Sequence, residues 1–158
     1  MNPTRRWQRW LGWKTVLTVA FVILVVAVGS IRNGMTSLTL ARIDTAETTW
    51  REAAIRNYDM QVKTSGAQHG IYDLTVRDGQ LKSIKCGGVA ADPADGAYWT
   101  VEGLFRTLRR ELQMADEASA TILLADFDRT HGFPSAFLRQ APGSTQTVSV
   151  EVVTFRLH

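Results

Sequence analysis

Asp126 and Asp128 stand two residues apart, and His131 and Gly132 follow closely, in the run Asp126-Phe127-Asp128-Arg129-Thr130-His131-Gly132-Phe133-Pro134. Two carboxylates and an imidazole gathered at a turn could hold a divalent cation, or serve as the acid–base set of a hydrolase. The metal set is thin: calcium takes roughly six to eight oxygens, and transition metals want more nitrogen or sulfur than one histidine gives. The competing reading is turn chemistry. Asp128 would accept from backbone N–H groups, Gly132 would take a positive φ, and Pro134 would set the entry to the next strand. His69 and His131 fall in different loops, and no Gly-x-Ser-x-Gly nucleophile elbow accompanies them.

Cys86 is the sole cysteine, so no internal disulfide can form, and it reads as a small buried hydrophobe. Gly87-Gly88 lacks the lysine–serine pair of a phosphate loop, and no cofactor is expected. Trp50, Tyr58, Trp99 and Phe105 could line a ligand groove between helix and sheet, with the loop from Gly87 to Tyr98 as its lid. The same aromatic residues, at helix and strand spacing, also suit a packed core.

Charge separates the chain into two parts. Residues 1–32 hold five of the 18 basic residues and none of the 15 acidic ones, which leaves the rest with a net charge of −2. The sequence pI of about 9.4 therefore belongs to the N-terminal segment. No basic stripe with interleaved aromatic residues remains downstream, so nucleic acid is not an expected partner.

Residues 15–31 read as a transmembrane signal anchor. Val16 to Val28 is apolar apart from Thr18, and Leu11 and Trp13 can extend it. At about 1.5 Å per residue, roughly 20 residues cross the hydrocarbon core. Trp7, Trp10 and Trp13 suit the headgroup layer, and Lys14 can snorkel toward it. The basic flank, residues 1–14, is expected to stay in the cytoplasm while the body is exported. The alternative is a cleaved signal peptide, cut after Gly29 in Ala27-Val28-Gly29, which would release a secreted body. Membrane lipid is thus an expected partner through residues 15–31. Residues 32–40 read as a tether, and residues 41–158 as an extracytoplasmic domain.

The elements that must position the candidate groups follow from periodicity. Leu40, Ile43, Glu47, Trp50 and Ala54 share one stripe of a helix running from about Thr39 to Arg56. Tyr58, Met60, Val62 and Thr64 alternate with polar residues, as do Tyr72, Leu74 and Val76. Asp78-Gly79 supplies the positive-φ pair of a tight hairpin, and Leu81 to Cys86 returns as its partner strand. Thr100 is placed to N-cap a second helix that buries Val101, Leu104, Phe105, Leu108 and Leu112, with Arg106, Arg109, Arg110 and Glu111 facing away. Ala120 to Phe127 is nearly all apolar, which suits a central strand covered on both faces or a covered strand at an edge. Ala136 to Arg139 is a short strand. In the last strand, Thr147 to Leu157, the apolar set switches from Val148, Val150 and Val152 to Val153, Phe155 and Leu157, which predicts a β-bulge. The expected architecture is α+β: an N-terminal transmembrane helix, then a two-layer domain with an antiparallel sheet of about six strands and two helices, in the order α-β-β-β-α-β-β-β.

Several motifs recur in a familiar order. They are Trp50 with Asn57-Tyr58, then Val76-Arg77-Asp78-Gly79, then Thr100-Val101-Glu102-Gly103-Leu104-Phe105. The Asp126 to Ser135 turn and Val152-x-x-Phe155 complete the series. Over roughly residues 46 to 156 the chain resembles the bacterial family known only as domain of unknown function 6174. The resemblance implies a small, exported or membrane-anchored α+β domain and lends no reaction. The chain lacks the acidic cluster that such proteins often carry before the last strand, having Gly143-Ser144-Thr145-Gln146-Thr147 there, and it lacks their early hairpin cysteines. The functional expectation is a non-catalytic binding or accessory module of the cell envelope, with an envelope protein or a small ligand as partner. The alternative is a hydrolase or cation-binding domain using Asp126, Asp128 and His131.

Overall fold

The computed structural model describes residues 35–66, 69–115, 120–143 and 147–158. The expected cytoplasmic flank and transmembrane segment lie outside these residues. Among the described residues no helix is long and apolar enough to cross a membrane.

The chain runs β1 (Thr36–Ser37), α1 (Leu40–Ala53), β2 (Tyr58–Ser65), β3 (Gly70–Arg77), β4 (Gln80–Cys86), β5 (Val89–Ala91), α2 (Pro93–Gly96), α3 (Val101–Met114), β6 (Ile122–Phe127), β7 (Pro134–Gln140) and β8 (Thr147–Leu157). The strands form one antiparallel sheet in the order β1-β6-β7-β8-β2-β3-β4-β5. The α+β class, the two main helices and their order among the strands are as expected. The strand count is not: the sheet has eight strands rather than about six.

Both additional strands lie in segments read as irregular. Thr36 and Ser37 pair with Ala125 and Leu124, and Leu38 is buried, so the end of the expected tether is part of the sheet. Val89 to Ala91 pairs with Ile84 to Cys86, and α2 follows at once, so the expected lid is largely structured. Strands this short carry too few side chains for a period-2 signal to emerge. Ala120 to Phe127 supplies β6, which stands second from one edge; β8 and β2 are the central pair.

One cap follows the reading of the sequence: Thr100 accepts from the Gly103 N–H at 3.1 Å to open α3. Thr39, read as the first residue of a helix, is itself a cap, accepting from the Arg42 N–H at 3.3 Å to open α1. The bulge is also where the apolar phase changes. Gln61 pairs with Thr154 and Val62 with Val152, so Val153 is the extra residue of β8. This shift turns Phe155 onto the same face as Val150 and Val152, against the core.

One face of the sheet is covered. Ile43, Ala46 and Trp50 of α1 and Val101, Leu104, Phe105 and Leu108 of α3 pack on Met60, Val62, Leu74, Val76, Ile84, Ala125 and Phe137. The opposite face is polar and tied across strands, with Gln61 donating to Asp73 at 2.7 Å and the Ser65 and Ser149 hydroxyls 2.7 Å apart.

A candidate binding cleft between the two helices

Trp50 stands on the buried face of α1, and its indole N–H donates to Glu102 Oε1 of α3 at 3.1 Å. Beneath it lies Tyr58, whose ring meets Trp50 edge to face at 5.7 Å and stacks on Phe155 at 5.2 Å. The Tyr58 hydroxyl accepts from the Val101 N–H at 3.2 Å, which ties β2 to the first turn of α3. Burial first, and then the Glu102 carboxylate, push the Tyr58 phenol well above its ordinary pKa, so it stays neutral. Phe155 also stacks on Phe133 at 4.3 Å and meets Trp50 edge to face at 6.0 Å, so the bulged strand supplies the centre of an aromatic cluster.

Above this cluster the end of α1 and the start of α3 diverge around a cleft of about 570 Å³. Trp50, Ile55 and Phe105 form its floor, and Arg51, Arg56, Glu102, Arg106 and Arg109 stand on its walls. At the closed end, Arg109 bridges the helices, reaching Asp44 at 2.7 Å and Glu47 at 2.5 Å, while Arg51 also pairs with Glu47. Burial would raise the Glu47 pKa, but the hydrogen bonds and charge of Arg109 and then Arg51 outweigh it and hold the carboxyl below its usual range. The Arg109 guanidinium is raised in turn, chiefly by its hydrogen bonds to Glu47 and Asp44. The cleft is thus a preformed, charge-lined hollow on an apolar base, within the usual size of ligand sites of roughly 300–1,000 Å³.

The four aromatic candidates separate. Trp50 and Phe105 line the cleft, and Tyr58 is buried below it. Trp99 lies elsewhere, stacked on Tyr72 at 4.9 Å, with Leu104, Pro134 and Phe137 nearby. Arg109, expected to face away from the core, instead bridges α3 to α1.

The Asp128–His131 turn is organised by its own backbone. Asp128 Oδ1 accepts from the Thr130 N–H at 3.1 Å and the His131 N–H at 2.7 Å, and lies 3.2 Å from His131 Nδ1. The Gly132 N–H donates to the Asp128 carbonyl at 2.9 Å, and Pro134 opens β7. Asp126 points to the face of β6 opposite Ala125 and Phe127, which flank it and pack on the core, and the strand ends at Phe127 before Asp128 begins the turn. Among the described residues no three His, Cys, Asp or Glu side chains are grouped to hold a metal ion.

Gly132 has a second role. It lies at φ +81, and a Cβ there would come within 2.3 Å of the Ala46 carbonyl and 3.0 Å of Trp50 N. The turn therefore presses directly on the backbone of α1 at Trp50. Gly103 does the same for α3: a Cβ would meet the Ala97 carbonyl at 2.1 Å. At the hairpin between β3 and β4, Asn57 Oδ1 accepts from the Asp78 N–H at 2.8 Å, and Gly79 at φ +74 donates to the Arg56 carbonyl.

Residues 42–138, from α1 through β7, match the model of a family of unknown function, DUF6174. The chain belongs to this family. No curated protein and no solved structure matches it. The DUF6174 match takes in both helices of the cleft and the glycine turns that press on them, while Phe155 lies on β8, beyond its end.

Four residues of the cleft were legible only in part. Glu47 interrupts the apolar stripe of α1 and stands four residues before Arg51, a spacing that signals a helix-surface pair. Its long-range partner Arg109, and the placing of Arg56 and Arg106 on the same cleft, depend on how α1 and α3 meet, which no local pattern encodes.

Proposed function

We propose that this protein is a non-catalytic binding domain of the bacterial cell envelope, and that the cleft between α1 and α3 is its binding site. The observation that carries the reading is the preformed hollow of about 570 Å³, floored by Trp50 and Phe105 and braced by the Trp50–Glu102 hydrogen bond and the Arg109 bridge. The motif residues Trp50, Tyr58, Glu102, Gly103, Phe105 and Gly132 all build or support that one place. Residues 15–31, with their basic and tryptophan-rich flank, support a single membrane span with the N-terminus in the cytoplasm and residues 41–158 outside. The domain then acts as an accessory module held at the membrane surface, its cleft turned to an envelope protein or ligand.

Site-specific photocrosslinking in cells tests this. A photoreactive residue in place of Arg51, whose side chain is exposed at the cleft wall, should give a discrete adduct, and one in place of Lys63, on the open sheet face, should not. Equal labelling at both positions, or none at position 51, would refute the cleft as the site. Protease digestion of a C-terminal tag in spheroplasts checks the topology: protection of the tag would place the domain on the wrong side.

A further inference from the structure

We propose that the cleft captures an acidic segment of a partner protein, with its carboxylates on Arg56 and Arg106 and an adjoining apolar side chain on Trp50, Ile55 and Phe105. This rests on the cleft being the binding site and names what it takes.

The argument starts from charge. Arg51, Arg56, Arg106 and Arg109 line the cleft against Glu47 and Glu102, a local excess of cations. The chain beyond residue 32 is net acidic, so this excess is a property of the place and not of the surface at large. Both acids are already engaged, Glu47 by Arg109 and Arg51 and Glu102 by the Trp50 indole. Arg56 and Arg106 have no carboxylate partner among the described residues. Each is steadied by a backbone carbonyl instead: Arg56 donates to Asp78 O at 3.0 Å and Arg106 to Ala97 O at 3.5 Å. A carbonyl orients a guanidinium without neutralising it. Each fork therefore keeps its full charge and free N–H donors, in the geometry that suits a carboxylate. Arg56 follows α1 and Arg106 lies on α3, so the two charges stand on separate walls above a shared floor.

The floor points to a segment rather than a small acid. Trp50 is only 5% exposed and Phe105 2%. A small ligand needs most of its surface enclosed, and these two rings offer little uncovered area. A peptide needs only one apolar side chain on such a floor and gains the rest of its affinity from charge pairs along the rim.

The test is selection from a library of random twelve-residue peptides on the immobilised full chain in detergent micelles. The expected winners carry Asp or Glu next to an aromatic or branched residue. Their binding should weaken with salt and fall at least about tenfold in Arg56→Gln and again in Arg106→Gln, as charge-assisted contacts require. Arg129→Gln, outside the cleft, should leave binding unchanged. Ala54→Phe should block it: Ala54 already holds a side chain at φ 49, so the larger residue adds bulk at the cleft wall without a new backbone conformation. Neutral or basic winners that Ala54→Phe still blocks would overturn the acidic segment and leave the cleft standing. Winners indifferent to Ala54→Phe, or no winners, would overturn both. An equal loss in Arg129→Gln would reduce the effect to general charge attraction and overturn the proposal.

Discussion

The indole N–H of Trp50 and the carboxylate of Glu102, 3.1 Å apart, join the last turn of α1 to the first turn of α3. The carboxylate also sits where the α3 dipole favours negative charge. Trp50→Phe keeps most of the packing and removes the donor, and should cost about 1 kcal/mol. Trp50→Ala should cost about 3–5 kcal/mol by removing the ring that meets Tyr58 and Phe155 edge to face. Urea unfolding of the two variants separates the terms; equal losses would show that the hydrogen bond, not the ring, dominates.

Gly132→Ala should be among the most damaging single changes. The added Cβ meets the Ala46 carbonyl at 2.3 Å, at a backbone angle that L residues avoid. A loss of about 3 kcal/mol or more is expected, against about 1 kcal/mol for Gly143→Ala, where φ is also positive but nothing lies within 4 Å. The difference between the two melting temperatures isolates the clash from the φ penalty. Similar shifts would mean that the turn can lift away from α1.

Asp128 should matter for stability, not for metal. Asp128→Ala removes the acceptor for the Thr130 and His131 N–H groups and should cost about 1 kcal/mol or more; Asp128→Asn keeps an acceptor and should cost less. Thermal unfolding with and without added calcium or zinc checks this. A metal-dependent shift that Asp128→Asn abolishes would restore the metal reading.

Acid should weaken the fold through Glu47 and Asp59. Burial raises the Asp59 pKa, but hydrogen bonds from His158 and then Arg77 outweigh it, so both carboxyls titrate below their ordinary values of 4.5 and 3.8. With the folded pKa depressed, the unfolded chain binds more protons as pH falls. The contribution is complete above the ordinary values and is lost as pH drops through the folded ones. Glu47→Gln should therefore lower stability at pH 7 and flatten its fall below pH 4.5. Denaturation midpoints across this range read the slope; an unchanged acid limb would rule out the Arg109 bridge as its source.

Arg42 pins the start of the domain, donating to Thr36 O at 3.0 Å, Ser37 O at 2.9 Å and Ala125 O at 3.2 Å. Arg42→Met should free β1 and leave the rest of the sheet intact. Hydrogen exchange reports this at the Leu38 N–H, which bonds to Leu123 O at 3.0 Å. Protection lost at Leu38 alone is the expected result; loss across β6 as well would mean that β1 is needed for the edge to form.

The sequence yielded those parts of the fold whose signals are local. Thr100 caps α3 because a hydroxyl three residues before an amide can do so anywhere. The bulge at Val153 was visible because one inserted residue inverts the apolar phase of an otherwise regular strand. What stayed hidden depends on partners distant in the chain. Thr36 and Ser37 become a strand only because β6 offers its edge. Trp50 and Trp99 look alike in sequence, yet the order of the strands sends one to the cleft and the other to Tyr72. The turn role of Asp128 was readable from its neighbours, whereas the pressure of Gly132 on α1 was not.

The place of β8 governs when this protein can fold. It is the last strand to leave the ribosome, yet it stands between β7 and β2. Until residues 147–157 are free, the chain can form only two ribbons, β1-β6-β7 and β2-β3-β4-β5, each with an open inner edge and neither able to hold Phe155 against Tyr58. The two ribbons become one sheet only when β8 enters between them, so the aromatic cluster around Phe155 is the part of the core that closes last.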